Sequence, residues 1–211
     1  MTRIQKTVFI LVALVALVVG LTVSKVLNNQ RQLDPTQLLD AGIVLLPQSR
    51  TVPSLSLTDQ DGEAVKVDEL DGQWTLLFFG YTFCPDICPT TLAELRQLNG
   101  MLPDAVRDQL RIILVSVDPD RDTPEKLKQY LGYFNAGFQG LTGPLDDIQT
   151  LANGVGIPFI PGDTSKENYT VDHSGNLVLI GPDGRQQGFI RAPLRVQKLA
   201  EQLPELVNRA E

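Results

Sequence analysis

The rhythm of apolar and polar positions changes several times along the chain, and each rhythm predicts an element. Residues 7–24 carry no charge and are mostly Val, Leu, Ile and Ala. About 18–20 such residues suffice for a helix to span a bilayer. Residues 28–48 turn polar, with Leu-rich patches and Pro35 and Pro47, and read as a tether. Residues 52–57 alternate and end at Asp59-Gln60-Asp61-Gly62, a turn signature, so 63–67 is expected to return as the second strand of a hairpin. Residues 74–79 (Trp-Thr-Leu-Leu-Phe-Phe) are nearly continuously apolar, as in a strand buried on both faces. From Pro89 the period becomes helical through Leu92, Leu95 and Leu98, until Pro103. Residues 111–117 form a second buried strand. A helix carrying Leu127, Tyr130, Leu131 and Phe134 follows, capped by Asp122 or Thr123 with Pro124 in its first turn. Residues 140–144 read as a break before a helix of about ten residues from Leu145. A strand at 176–180, the turn Pro182-Asp183-Gly184, a returning strand at 186–190 and a last helix over 193–207 complete the pattern.

Strands alternating with helices imply a parallel core, and the final hairpin implies an antiparallel edge. The expected fold class is α/β: a thioredoxin-like domain with an N-terminal β-hairpin and an insertion, preceded by a single transmembrane helix. The expected division is an anchor at 1–27, a tether at 28–50 and the domain at 51–211. The apolar run is longer than a signal-peptide core and ends Gly20-Leu21-Thr22-Val23-Ser24 without an Ala-x-Ala site, which favours an uncleaved anchor. Arg3 and Lys6 precede the run and belong on the cytoplasmic side, so the domain is expected to face outward.

Charge narrows the partners. The chain has a net charge of −7, and residues 1–33 hold four cations and no acid, so the remainder stands at −11. An acidic domain suits neither nucleic acid nor an anionic bilayer surface.

The candidate chemistry is concentrated. The chain has two cysteines and one histidine: Cys84 and Cys88 in Phe83-Cys84-Pro85-Asp86-Ile87-Cys88-Pro89, and His173 in Val171-Asp172-His173-Ser174. Cys-x-x-x-Cys at a helix start is expected to put two sulfurs one turn apart on one face. Free N–H groups and the partial positive charge of the helix N-terminus favour a thiolate, most at Cys84. A domain of this size needs no disulfide staple, and a four-residue step closes too small a loop to stabilise much. Metal or redox chemistry explains the pair better. Two thiolates and an imidazole form a soft donor set, which among common metals favours Cu(I). Asp172 is a candidate to orient the His173 ring. Asp86 reads as an ordinary first-turn acid. Asp118, Asp120 and Asp122 open like a calcium loop, but Thr123 and Gln129 occupy its required Gly and Glu positions, so the segment reads as a capped loop in which Arg121 pairs with an acid. Tyr81, Phe83, Phe159 and Phe189 are read as core.

The stretch 79–92, with Cys84 and Cys88 at its centre, closely resembles the Sco/SenC copper chaperones. Ser116-Val117-Asp118-Pro119 with Arg121-Asp122-Thr123-Pro124 resembles their second motif, and Val171-Asp172-His173-Ser174 with Pro182-Asp183-Gly184 their third. The resemblance implies a thioredoxin-like domain that binds copper through Cys84, Cys88 and His173, as Cu(I) and in some members also Cu(II). It implies delivery to the dinuclear copper centre of cytochrome c oxidase subunit II. It also implies that His173 sits on a mobile loop, here 161–172, with Gly162 helping it move. The expected location is the inner membrane, single-pass, with the domain on the periplasmic side, or the intermembrane-space side in a mitochondrion. Expected partners are the copper-receiving subunit and another periplasmic copper chaperone or thiol reductase.

The leading expectation is thus a binding and transfer protein without turnover. The alternative is a thiol–disulfide reductase in which Cys84 and Cys88 form a redox-active pair that keeps the recipient's cysteines reduced. Peroxide reduction fits poorly, because Thr82 lies only two residues before Cys84. Zinc at an open Cys2His site is chemically allowed.

Overall fold

The computed structural model describes residues 4–5, 11–21, 33–166 and 168–208. Contacts divide the chain into two compact units, Met1–Asp34 and Pro35–Glu211. In the first, residues 4–5 and 11–21 are helical with exposed side chains. Among the described residues no helix is long and apolar enough to cross a membrane. The structure therefore does not support the spanning helix expected over 1–27, of which 1–3, 6–10 and 22–27 lie outside the described residues.

The second unit is built on one eight-stranded sheet in the order β1-β8-β7-β4-β5-β6-β2-β3. The strands are β1 (Ile43–Thr51), β2 (Ser56–Asp59), β3 (Ala64–Lys66), β4 (Trp74–Gly80), β5 (Leu110–Ser116), β6 (Gln139–Thr142), β7 (Leu177–Ile180) and β8 (Arg185–Ile190). The helices are α1 (Pro35–Asp40), α2 (Ile87–Met101), α3 (Asp104–Arg107), α4 (Pro124–Gly132), α5 (Leu145–Gly154) and α6 (Val196–Val207). β4, β5 and β6 run parallel, and β7 lies antiparallel to β4 with β8 beyond it. This is the thioredoxin-like core. The β2–β3 hairpin is where the alternation places it.

All seven residues of β4 are buried, as its continuous apolar run requires of a central strand. Cys88, Leu92, Leu95 and Leu98 of α2 are fully buried, the four- and three-residue steps of one helix face. At α4 the cap is Thr123, whose side chain accepts from the Lys126 N–H, with Pro124 at the first position. Asp122 is thereby left free for another task.

Two strands depart from the sequence reading. The expected tether over 28–50 contains α1 and most of β1, which pairs antiparallel with β8. β1 is an edge strand whose only fully buried residue is Ile43, and its pairing shifts between Leu45 and Arg50, the interval that holds Pro47. Polar outer positions and an edge proline give it the look of a linker. The expected break at 140–144 is instead β6 for most of its length. There a Cβ at Gly140 would meet Leu131 Cδ1 at 2.9 Å, so the glycine marks a close approach of α4 to the sheet rather than a turn.

Candidate metal centre

Topology brings the candidate residues to one end of the sheet. The cysteine loop leaves the carboxyl end of β4, and the loop 117–123 leaves the carboxyl end of the adjacent parallel strand β5. β7 runs the other way, with Leu177 opposite Phe78, so the segment just before β7 passes the end of β4 and delivers His173 there. The carboxyl ends of parallel strands are where open α/β sheets place their ligands.

Cys84, Cys88 and His173 each offer one ligand atom, and all three atoms lie within 4.8 Å of one another. His173 Nε2 is 3.3 Å from Cys88 Sγ and 3.7 Å from Cys84 Sγ. Metal bonds of about 2.0 Å to nitrogen and 2.3 Å to sulfur put N and S about 3.5–3.7 Å apart at tetrahedral to trigonal angles, so shifts of a few tenths of an ångström fit the donor set to one soft ion. Both cysteines are free and buried. His173 Nδ1 lies 3.2 Å from the Ser174 carbonyl. A carbonyl only accepts, so Nδ1 donates there and Nε2 is the ring nitrogen that faces the sulfurs. The ring stands edge-on to Tyr81 at 5.6 Å and to Phe78 at 6.1 Å between centroids.

Four of the sequence expectations change here. Only Cys88 lies in α2. Cys84 lies in the loop before it and meets the helix through the Cys88 N–H, which donates to Cys84 Sγ at 3.4 Å. Asp172 is exposed, and the Ser174 carbonyl orients the ring in its place. Among the aromatics read as core, Tyr81 walls the site and Phe83 is exposed, whereas Phe159 is core and the Phe189 ring packs near Gly156 on β8's side of the fold. Gly162 sits against the Tyr169 ring, where a Cβ would come within 2.2 Å of Cδ2, so its missing side chain serves close packing rather than motion.

The two thiols are held unequally. Cys84 is lowered from 9.0 to about 4, first by its hydrogen bond with Cys88, then by His173 and the N–H groups of Asp86 and Cys88, against opposing burial. Cys88 is pushed up by the same shared proton and by deeper burial. The pair therefore holds one proton, on Cys88, with the negative charge on Cys84. The N–H groups at the start of α2 thus contribute to the lowering of Cys84, after the larger effects of Cys88 and His173.

Sequence reasoning missed two supporting residues. Gly80 ends β4, and a Cβ there would meet Cys88 Sγ at 2.8 Å, so only glycine lets the sulfur rest on the strand end. Asp122 is fully buried and braces the cysteine loop. Its carboxylate accepts from the Thr82 N–H at 3.0 Å, the Thr82 hydroxyl at 2.5 Å and the Ser116 hydroxyl at 2.7 Å. Burial raises its pKa against those hydrogen bonds. The fully satisfied acceptor set was invisible in a sequence where Asp122 read as a helix cap.

The family model described as SCO1/SenC matches residues 45–208. A "Putative copper-binding protein" of Stutzerimonas stutzeri is 49% identical over 177 residues, 83% of this chain and 87% of that relative. Among solved structures, Bradyrhizobium japonicum ScoI with copper bound matches with a TM-score of 0.65 and 35% identity, over 72% of this chain and 97% of that one. Yeast Sco1 with copper bound matches with a TM-score of 0.65 and 28% identity, over 74% of this chain and 89% of that one.

Proposed function

The chain belongs to the SCO1/SenC family, and from that premise we propose that it is a copper-binding chaperone in cytochrome c oxidase assembly. It takes copper as cargo through Cys84, Cys88 and His173 and passes it to the dinuclear copper centre of subunit II. The observation that carries this reading is the convergence of two sulfurs and one imidazole nitrogen within 4.8 Å at the end of β4. Copper bound to two similar proteins supports the choice of metal, as does the softness of the donors. Cu(I) is the favoured state, and the imidazole gives Cu(II) a ligand as well.

Capture requires one proton to leave the pair, since Cys84 already carries charge and Cys88 does not. A recipient's thiolates then replace the ligands one at a time through shared-ligand intermediates, with His173 the first to leave because its segment lies outside the sheet. The test is anaerobic Cu(I) loading against a chromophoric chelator. One copper per reduced chain is expected, with affinity falling steeply in Cys84→Ser. Unchanged affinity in that variant would falsify the reading.

One observation favours a second reading. An ionised Cys84 beside a protonated, deeper Cys88 is the asymmetry of an attacking and a resolving thiol. The Cys84 thiolate would attack a recipient disulfide, form a mixed disulfide with one sulfur and release the other as a thiolate, which takes the Cys88 proton. Cys88 would then displace the recipient's second sulfur, leaving Cys84–Cys88 oxidised and the recipient reduced. His173 separates the two readings, since copper retention needs it and thiol exchange does not.

The uncharged run 7–24 with Arg3 and Lys6 before it and Lys25 after it supports a membrane anchor, with the domain on the periplasmic or intermembrane-space side.

A further inference from the structure

The segment 161–172 that leads into His173 is anchored by an unusual clasp. Among its described residues before Val171, only Gly162 and Tyr169 are not exposed. The Tyr169 hydroxyl donates to Asp118 Oδ1 at 2.5 Å. Asp118 is itself buried, at 4% exposure, and its other oxygen pairs with Arg121 Nε. Arg121 Nη2 donates to the Tyr169 carbonyl at 3.1 Å, and its guanidinium lies 3.6 Å from the Tyr169 ring centroid. The same guanidinium lies 4.9 Å from the ring of Phe83, the neighbour of Cys84, and 5.7 Å from the ring of Tyr81. The Val171 N–H then donates to the Tyr81 hydroxyl at 3.3 Å. One planar cation thus touches both the cysteine loop and the histidine loop. No bond within the clasp comes from a ligand atom, so its contacts do not depend on a metal.

The geometry points to Arg121 and Tyr169 as positioning residues: the Asp118–Arg121–Tyr169 clasp sets the position of His173 relative to Cys84 and Cys88, and its opening is the step that withdraws the imidazole when copper leaves. The chemistry suits that task. Arg121 offers a flat face for stacking and a fork for Asp118, which lysine does not reproduce. Tyr169 is joined to the body by one hydroxyl bond, one carbonyl bond and one ring face, all of them part-buried. Gly162 lets the loop close over that ring. The inference rests on the three-ligand reading of the copper site and adds to it the device that controls one ligand.

The test is a double-variant cycle on the full chain, reading Cu(I) retention against a chelator in wild type, Tyr169→Phe, His173→Ala and the double variant. Tyr169→Phe keeps the ring and removes only the bond to Asp118. It is expected to weaken retention about tenfold, the lower end of what supporting residues contribute to metal affinity. Arg121→Lys is expected to weaken it at least as much. In the His173→Ala background neither change should matter, because the clasp acts through that ligand. Wild-type retention in Tyr169→Phe overturns the clasp, as does an equal loss in both backgrounds, which would mean a general loss of structure. If His173→Ala retains copper as wild type does, the three-ligand reading fails and the clasp falls with it. If His173→Ala is weakened and Tyr169→Phe is not, the clasp alone fails.

Discussion

Cys84 and Cys88 share one proton in the reduced protein, and this asymmetry is measurable. Cys84, lowered to about 4, is charged in the folded chain through the range in which an unfolded cysteine, near 9.0, is still protonated. Between those values the unfolded chain binds one proton more than the folded one, so the pair's contribution to stability rises with pH from about 4 to about 9. Above that range Cys88, raised by sharing Cys84's hydrogen bond and by burial, keeps its proton while the unfolded thiols lose theirs, and the contribution falls again. Urea unfolding of the reduced wild type minus the Cys84→Ala/Cys88→Ala variant should trace this rise and fall. A difference flat across pH 5 to 9 would contradict the shared proton. The three candidate ligands were legible from composition alone, since the chain has no other Cys or His to choose from. Which ring nitrogen faces the sulfurs was not, because Ser174 and Asp172 are equally near in sequence and only the backbone path selects the Ser174 carbonyl.

Elements hold these residues through groups that pattern reading assigns elsewhere. Asp122 ties the cysteine loop to the end of β5 with three accepted hydrogen bonds. Asp122→Ala would strand buried donors at Thr82 and Ser116 and is expected to cost about 3 kcal/mol or more in chemical unfolding. Asp122→Asn, which keeps one carbonyl acceptor, should cost less, and equal losses would mean that volume rather than hydrogen bonding matters. Gly80→Ala forces a Cβ against Cys88 Sγ, the Phe78 ring and Leu114. It should destabilise by about 1–3 kcal/mol and weaken copper binding together. The long, strongly periodic elements β4, α2, β5 and α6 were readable because each buries a continuous face. β1 and β6 were not: one shows the core a single residue, Ile43, and the other owes its place to a glycine that gives α4 room. Ile43→Ala tests the first directly. If β1 is structural, the loss is about 2–5 kcal/mol, whereas a tether residue would tolerate the change within a few tenths.

On the scale of the whole molecule, one end of a single sheet assembles the site. Three loops from β4, β5 and the approach to β7 meet there, and each supplies a different part: the thiolates, the brace and clasp, and the imidazole. The acidic balance of the domain, −11 beyond residue 33, disfavours nucleic acid and anionic surfaces. The central claim, that Cys84, Cys88 and His173 together hold one copper ion, is tested most directly by X-ray absorption of the Cu(I)-loaded full chain, wild type and His173→Ala. Two sulfur scatterers and one nitrogen scatterer are expected about the copper in wild type, with the nitrogen lost in the variant. A copper bound by sulfur alone in wild type, or a spectrum indifferent to His173, would contradict it.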